Sequence, residues 1–172
     1  ADQMSEVYSL QQHRKAFCLG NIMPDLKPSF LTTRHEFFGT FNQLQSNMRE
    51  LVERSPEEDN ARVYWRRFGE VMHYMADYFT FPHNRTYKGS LAEHNSYEAE
   101  LKNRLKECIL SGRADSQLEE AKHFDSFEEL VEYIRERHTC YLESPRCIAD
   151  DIRFIENIQR TLNAVCSGVA DP

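Results

Sequence analysis

Two pairs of side chains in the sequence have the chemistry and the spacing of metal ligands. His73 is followed four residues later by Asp77, and His94 is followed four residues later by Glu98. One turn of helix places residues four apart on the same face, so each imidazole and its carboxylate can reach one cation. Seven histidines and 28 acidic residues produce about one such pair by chance. The pairs alone are therefore weak evidence, and an ordinary surface or core histidine is the alternative.

The residues around the two pairs strengthen the prediction of a metal site. His83 follows Asp77 within Phe81-Pro82-His83-Asn84, and two further ligand-type residues lie upstream. The candidate ligands are Asp25, His35, His73, Asp77, His83, His94 and Glu98. Imidazole nitrogen and carboxylate oxygen are ligands that Zn²⁺ takes readily. The sequence therefore predicts a zinc site that uses no thiolate.

The elements that must position these ligands are predicted to be helices. The predicted helices cover roughly Gln3 to Leu19, Arg34 to Arg54, Pro56 to Thr80, Leu91 to Leu110, Phe127 to Tyr141 and Arg146 to Cys166, with weaker helical signals from Gln117 to His123. Capping boxes of the form S/T-x-x-E begin at Thr33, Ser55, Ser90 and Ser126. Gly20 is predicted to end the first helix, and a loop containing Asp25 is predicted to follow it.

No strand-like alternation, internal repeat or low-complexity segment interrupts this pattern. We therefore predict an all-α fold, a single-domain bundle of about six to seven helices over residues 1–172 with a buried multinuclear metal site.

Composition limits the partners that the chain is expected to have. The net charge of -7 and the pI near 5.5 argue against duplex nucleic acid as a partner, because phosphate contacts need clustered Lys and Arg. The five cysteines show no CxxC spacing and are expected to be mostly buried thiols. No apolar run approaches the roughly 18 residues of a transmembrane helix. We expect a cytoplasmic protein, or a secreted one if a leader has been removed.

The order of the motifs resembles the zinc-dependent phospholipase C family, which shares its helical fold and trinuclear zinc site with single-strand nucleases. FCLGNIMPD is similar to the family's loop that carries an aspartate, and TRHEF to its next histidine. HYMADYFTFPH is similar to its H-x-x-x-D-x-x-x-x-x-H core, and HNSYE to its H-x-x-x-E. These motifs span Phe17 to Glu98. Glu98 favours a phospholipase C over a nuclease, since the nuclease relatives usually have Asp there.

The resemblance implies a role for each candidate ligand. Asp25, His35, His73 and Asp77 would surround a first zinc ion; His83, His94 and Glu98 would surround a second, and Asp77 would bridge towards a third. It also implies an enzyme that hydrolyses phosphoric diesters with zinc-activated water, acting on a phospholipid or another phosphodiester in lipid metabolism. Transient contact with a membrane surface would follow. Asp25 is the candidate catalytic residue, orienting or deprotonating that water, and the role of a plain ligand stays equally open.

The third ion is where the sequence departs from the family pattern. Secreted members use an N-terminal Trp and a nearby His, whereas this chain has Ala1, and His13 is its only histidine upstream of Asp25. The prediction is therefore two to three zinc ions, with a missing N-terminal segment as one explanation. Three alternatives stay open: a single-strand nuclease of the same fold, a non-catalytic zinc-binding helical protein, and a di-iron bundle, which normally uses Glu-x-x-His.

Overall fold

The computed structural model describes residues 2–26, 36–54, 60–112 and 122–166, which contain six α-helices and one 3₁₀ turn. The helices are α1 (Asp2–Leu26), α2 (Phe37–Glu53), α3 (Ala61–Tyr78), α4 (Leu91–Leu110), α5 (Phe127–Glu143) and α6 (Ile148–Cys166), and the 3₁₀ turn is Phe81–His83. These residues contain no strand, so the prediction of an all-α fold is confirmed. None of the described helices combines the length and the apolar character needed to cross a bilayer.

Helix α3 lies at the centre of the bundle and packs against α1, α2 and α6. Its apolar residues recur at helical spacing, and Tyr64, Trp65, Phe68, Val71, Met72, Met75 and Tyr78 are buried. Helix α6 completes the same core with Ile152, Phe154, Ile155, Ile158 and Leu162. One apolar core therefore holds the helix that carries His73 and Asp77.

Helices α1 and α3 approach each other closely at two glycines. A Cβ atom added to Gly20 would lie 1.9 Å from the carbonyl oxygen of Arg66, and one added to Gly69 would lie 2.2 Å from that of Phe17. The predicted end of the first helix at Gly20 is therefore wrong, because this glycine makes a helix–helix contact instead of a C-cap. Helix α1 continues to Leu26, two residues beyond Pro24.

Helix α4 begins and ends where the sequence predicted. The hydroxyl of Ser90 accepts the backbone N–H of Glu93, and the Glu93 carboxylate accepts the N–H of Ser90, which completes the capping box. At Ser126 only half of the box forms: its hydroxyl accepts the N–H of Glu129, whose carboxylate accepts the N–H of Asp125. The boxes predicted at Thr33 and Ser55 involve positions outside the described residues.

Three helix starts differ from the prediction. Helix α2 begins at Phe37 instead of Arg34, because Glu36 is extended. Helix α3 begins at Ala61, because Asn60 is extended and its side chain accepts the N–H of Arg62. Helix α6 begins at Ile148, because Arg146 has a φ of 56°, a left-handed conformation that no helix interior contains. The weak helical signal from Gln117 to His123 falls mostly outside the described residues, and its last two positions are not helical. The prediction of mostly buried cysteines is wrong, since Cys18, Cys140 and Cys147 are exposed.

Candidate metal centre

The end of α3 and the 3₁₀ turn that follows it bring two imidazoles to one carboxylate. Asp77 lies one turn after His73 on α3, and its Oδ2 atom is 3.1 Å from Nε2 of His73. The chain then turns through Phe81–His83, and Nε2 of His83 lies 3.7 Å from Oδ1 of the same Asp77. The two oxygens of Asp77 therefore face different histidines, which is the arrangement of a bridging carboxylate.

Helix α4 supplies the second pair of predicted ligands. Oε1 of Glu98 lies 2.9 Å from Nε2 of His94, one turn earlier on α4, and 2.9 Å from Nε2 of His83. One ligand atom from each of these three residues lies within 4.8 Å of the other two. These are the three residues that the family resemblance implies around one ion.

Asp25, in the last turn of α1, is close to His73. Its Oδ1 atom lies 3.5 Å from Nε2 of His73. The predicted loop at this position is wrong, and the extension of α1 along α3 is what brings the carboxylate to the histidine. Half of the Asp25 side chain is exposed, at 53%, whereas His73 and Asp77 are nearly covered.

Six of the seven predicted ligands are thus linked by short contacts, and we call them the His-carboxylate cluster. They are Asp25, His73, Asp77, His83, His94 and Glu98. The seventh, His35, lies outside the described residues. His13 lies on α1, 12 positions before Asp25, and this separation corresponds to about 18 Å of helix. His13 is too far from Asp25 to share an ion with it.

The comparison with known families agrees with the motifs and with the fold. A model of zinc-dependent phospholipase C matches residues 1–148. The chain belongs to the zinc-dependent phospholipase C family. No curated protein and no solved structure matches it.

Zinc, the metal of the phospholipase C family, fits the chemistry of the cluster. The cluster offers imidazole nitrogens and carboxylate oxygens, both of which Zn²⁺ binds at about 2.0–2.2 Å. Ligand atoms around a tetrahedral zinc are therefore about 3.3 Å apart. One donor atom from each of His83, His94 and Glu98 lies within 4.8 Å of the other two, which makes these residues a candidate group for one ion.

The charges inside the cluster stabilise one another. Burial lowers the pKa of His73 and of His83, but the carboxylates beside them outweigh burial and raise the pKa of both rings. For His73 these are Asp77 and Asp25, and for His83 they are Asp77 and Glu98. The hydrogen bond from His83, followed by that from His94, lowers the pKa of Glu98. Protons and a divalent cation therefore compete for the same atoms.

A buried carboxylate that the sequence analysis did not single out connects two parts of the cluster. Asp151, at the start of α6, is fully buried and accepts three hydrogen bonds. The donors are the N–H of Phe81 at 3.0 Å, the hydroxyl of Tyr97 at 2.8 Å and the hydroxyl of Tyr141 at 2.7 Å. Burial raises the pKa of Asp151 despite these bonds. Its sequence signal was ambiguous, because an acid in the first turn of a helix also suits the helix dipole.

A second buried contact holds the turn that carries His83. The side-chain amide of Asn84 donates to the carbonyl oxygen of Thr80 at 2.9 Å, and its oxygen lies 3.3 Å from Nε2 of His138. His138 is stacked on Phe37, with ring centroids 4.0 Å apart. His138 therefore belongs to the core, whereas His123 is exposed.

Proposed function

We propose that this chain is a zinc-dependent phospholipase C-like enzyme that hydrolyses the phosphodiester bond of phospholipids. The observation that supports the proposal is the continuous series of contacts from Asp25 through His73, Asp77 and His83 to Glu98 and His94. Membership of the family supports both zinc and a phospholipid substrate. A set of six nitrogen and oxygen ligands without cysteine favours an open, catalytic site over a closed structural one.

Each part of the cluster has a proposed task. His83, His94 and Glu98 would hold one ion, while His73, Asp77 and Asp25 would hold a second, together with His35 as the family pattern implies. Asp77 joins the two groups, because its two oxygens face His73 and His83. Zinc held there would supply positive charge to the phosphate and would lower the pKa of a bound water towards 7.

Asp25 is the proposed catalytic residue. Its side chain is half exposed at the edge of the cluster, so a water molecule and a substrate can approach its carboxylate. A carboxylate in hydrogen-bond reach of the attacking water orients it and accepts its proton as the water attacks phosphorus. The alcohol of the diester then leaves with a proton from solvent. Asp77 is more deeply buried than Asp25, and its proposed role is that of a ligand.

The experiment that tests the proposal combines zinc content with hydrolysis. We expect the purified protein to contain two to three zinc ions per chain and to hydrolyse p-nitrophenylphosphorylcholine, with loss of activity on chelation and recovery on zinc addition. Glu98→Gln removes a charged ligand. We expect it to lower the rate of hydrolysis by more than the roughly 10–100-fold that follows from changing a residue that only hydrogen-bonds to a ligand. Glu100→Gln is the matched control, since this exposed acid on α4 contacts only Arg104 among the described ion pairs.

The outcomes separate the competing functions. If the protein binds zinc but hydrolyses no diester, it is a non-catalytic zinc-binding protein. Cleavage of single-stranded DNA in preference to phosphatidylcholine micelles would make it a nuclease of the same fold. Equal effects of Glu98→Gln and Glu100→Gln would show that the His-carboxylate cluster is not the site.

A further inference from the structure

An apolar groove of about 430 Å³ leads away from the His-carboxylate cluster between α4 and α6. The lining begins with Asp77, His83 and Glu98, which belong to the cluster. Its apolar part consists of Leu101, Leu105, Ile109 and Leu110 from α4 and Ile155 from α6. The groove is therefore continuous with the proposed reaction site.

The wall formed by α4 is a single helical face that changes character along its length. Glu98, Leu101, Leu105 and Ile109 are three or four residues apart, so they lie on one side of the helix. Leu101 is 8% exposed, whereas Ile109 is 61% and Leu110 is 77% exposed. The groove thus begins at partly covered carboxylate and imidazole groups and ends at apolar side chains that face solvent.

The length of this face matches one acyl chain. From Glu98 to Leu110 the helix rises by about 18 Å. The hydrocarbon core of a bilayer is about 30 Å thick, so the chains of one leaflet are about 15 Å long. A chain whose ester end lies near the cluster would therefore reach the exposed end of the groove.

The groove suits an aliphatic ligand better than a nucleic-acid base. Its lining, all within the described part of the chain, contains no Phe, Tyr or Trp on which a base could stack. Lys102 and Lys106 also line it, one turn apart. Their ammonium groups can contact an anionic phosphate or lipid surface although the whole chain is acidic.

We propose that this groove binds one acyl chain of a phospholipid whose phosphodiester lies at the His-carboxylate cluster. The assignment rests on the proposed function and extends it, because it makes the apolar chain a determinant of specificity. Methylene groups buried against Leu105, Ile109 and Leu110 contribute binding that a chain-free diester lacks, up to about fourfold for each group.

The test compares phosphatidylcholines that carry acyl chains of four, six and eight carbons, below their micelle concentrations, with p-nitrophenylphosphorylcholine. In the unaltered protein we expect kcat/KM to rise with chain length. The double variant Ile109→Gln, Leu110→Gln changes two exposed residues and should leave folding intact. It is expected to lower kcat/KM about tenfold for the eight-carbon substrate and less than twofold for the chain-free one. Leu19→Gln, an equivalent change on α1 outside the groove, is the control.

A binding measurement separates failure of this assignment from failure of the proposed function. Octyl and decyl phosphocholine are titrated calorimetrically into zinc-supplemented protein, where burial of apolar surface gives a negative heat-capacity change. Chain-dependent binding that the double variant loses would support the groove even if no diester were hydrolysed. Two results would overturn the assignment. One is a kcat/KM that does not change with chain length, and the other is an equal fall in kcat/KM for the eight-carbon substrate in the double variant and in Leu19→Gln.

Discussion

At the scale of single residues, Asp151 acts through its neighbours. Two of its donors lie next to cluster residues: Phe81 is two residues before His83, and Tyr97 directly precedes Glu98. The third donor, Tyr141, lies on α5, which carries no cluster residue. Asp151 is therefore a positioning residue that ties the 3₁₀ turn and α4 to the start of α6.

Replacing each tyrosine by phenylalanine separates positioning from stability. Both Tyr97→Phe and Tyr141→Phe remove one hydroxyl bond to the Asp151 carboxylate, which costs about 1.5–3 kcal/mol of unfolding free energy. We expect only Tyr97→Phe to weaken zinc binding, by roughly tenfold, because Glu98 is its neighbour. Zinc affinity is measured by competition with a chromogenic chelator, and unfolding with urea.

A spectroscopic comparison supplies the control. Cobalt bound in place of zinc reports ligand geometry through its visible absorption, which a general loss of stability does not change. We expect an altered spectrum for Tyr97→Phe and an unaltered one for Tyr141→Phe. Identical affinities and spectra for the two variants would contradict a positioning role for Asp151.

At the scale of elements, the contact between α1 and α3 determines where Asp25 lies. Gly69 is one turn before His73, and its missing side chain leaves room for the backbone of α1 at Phe17. Because α1 continues as a helix from that contact, Asp25 reaches His73 at its end. The spacing of the two helices and the geometry of the cluster are therefore coupled.

Gly69→Ala is expected to disturb both packing and chemistry. The new methyl group would meet a backbone oxygen, so α1 must move away from α3, at a cost of about 2 kcal/mol in unfolding free energy. We expect hydrolysis of p-nitrophenylphosphorylcholine to fall at least about tenfold, because a displacement near 1 Å is costly in catalysis. Urea unfolding and steady-state kinetics give the two quantities.

Gly112→Ala is the matched control. This glycine has a φ of 67° and nothing within 4 Å of an added Cβ atom, so the change strains the backbone by about 1–2 kcal/mol without moving a helix. Stability should fall while hydrolysis of the chain-free substrate stays within twofold. Unchanged hydrolysis in Gly69→Ala would contradict the coupling.

The helices also show which features of this fold can be predicted from sequence patterns. Helix α4 was predicted correctly because Ser90 and Glu93 encode its start by local hydrogen bonds. The end of α1 was not, because Gly20 has two meanings, a C-cap or a close contact, and only the partner helix decides between them. Spacing predicted the pairs His73–Asp77 and His94–Glu98, since each lies within one turn.

Tertiary packing was needed for the rest of the site. Asp151 receives bonds from residues 54 and 70 positions away, and no local pattern predicts such contacts. The groove along α4 was also invisible, because Leu101 and Leu105 have the spacing of an ordinary core stripe and only the position of α6 leaves room beside them.

At the scale of the whole molecule, the two buried cluster histidines and the core histidine make stability depend on pH in opposite ways. In the metal-free protein the raised pKa values of His73 and His83 favour the folded state at low pH, and this contribution is lost as pH rises through those values. The pKa shift of the core histidine His138, and therefore its effect on stability, has the opposite sign. Burial lowers its pKa to about 4 from an ordinary value of 6.5.

The sign for His138 gives a prediction for unfolding. Below pH 6.5 the unfolded chain takes up a proton that the buried ring refuses, so stability falls between pH 6.5 and about 4. The loss from pH 7.5 to pH 4.5 is roughly 2–3 kcal/mol. His138→Phe keeps an aromatic ring against Phe37 but cannot titrate, and it leaves Asn84 with one bond fewer at every pH.

The difference in unfolding free energy between the two proteins isolates this one group. Urea unfolding in the presence of a chelator should show unaltered protein more stable than His138→Phe at pH 7.5, with the gap narrowing by roughly 2–3 kcal/mol at pH 4.5. His73 and His83 contribute equally to both proteins and cancel. His123→Gln changes an exposed residue, and its unfolding free energy should vary with pH as that of the unaltered protein does. A gap that is constant with pH would mean that His138 is protonated as readily in the folded chain as in the unfolded one.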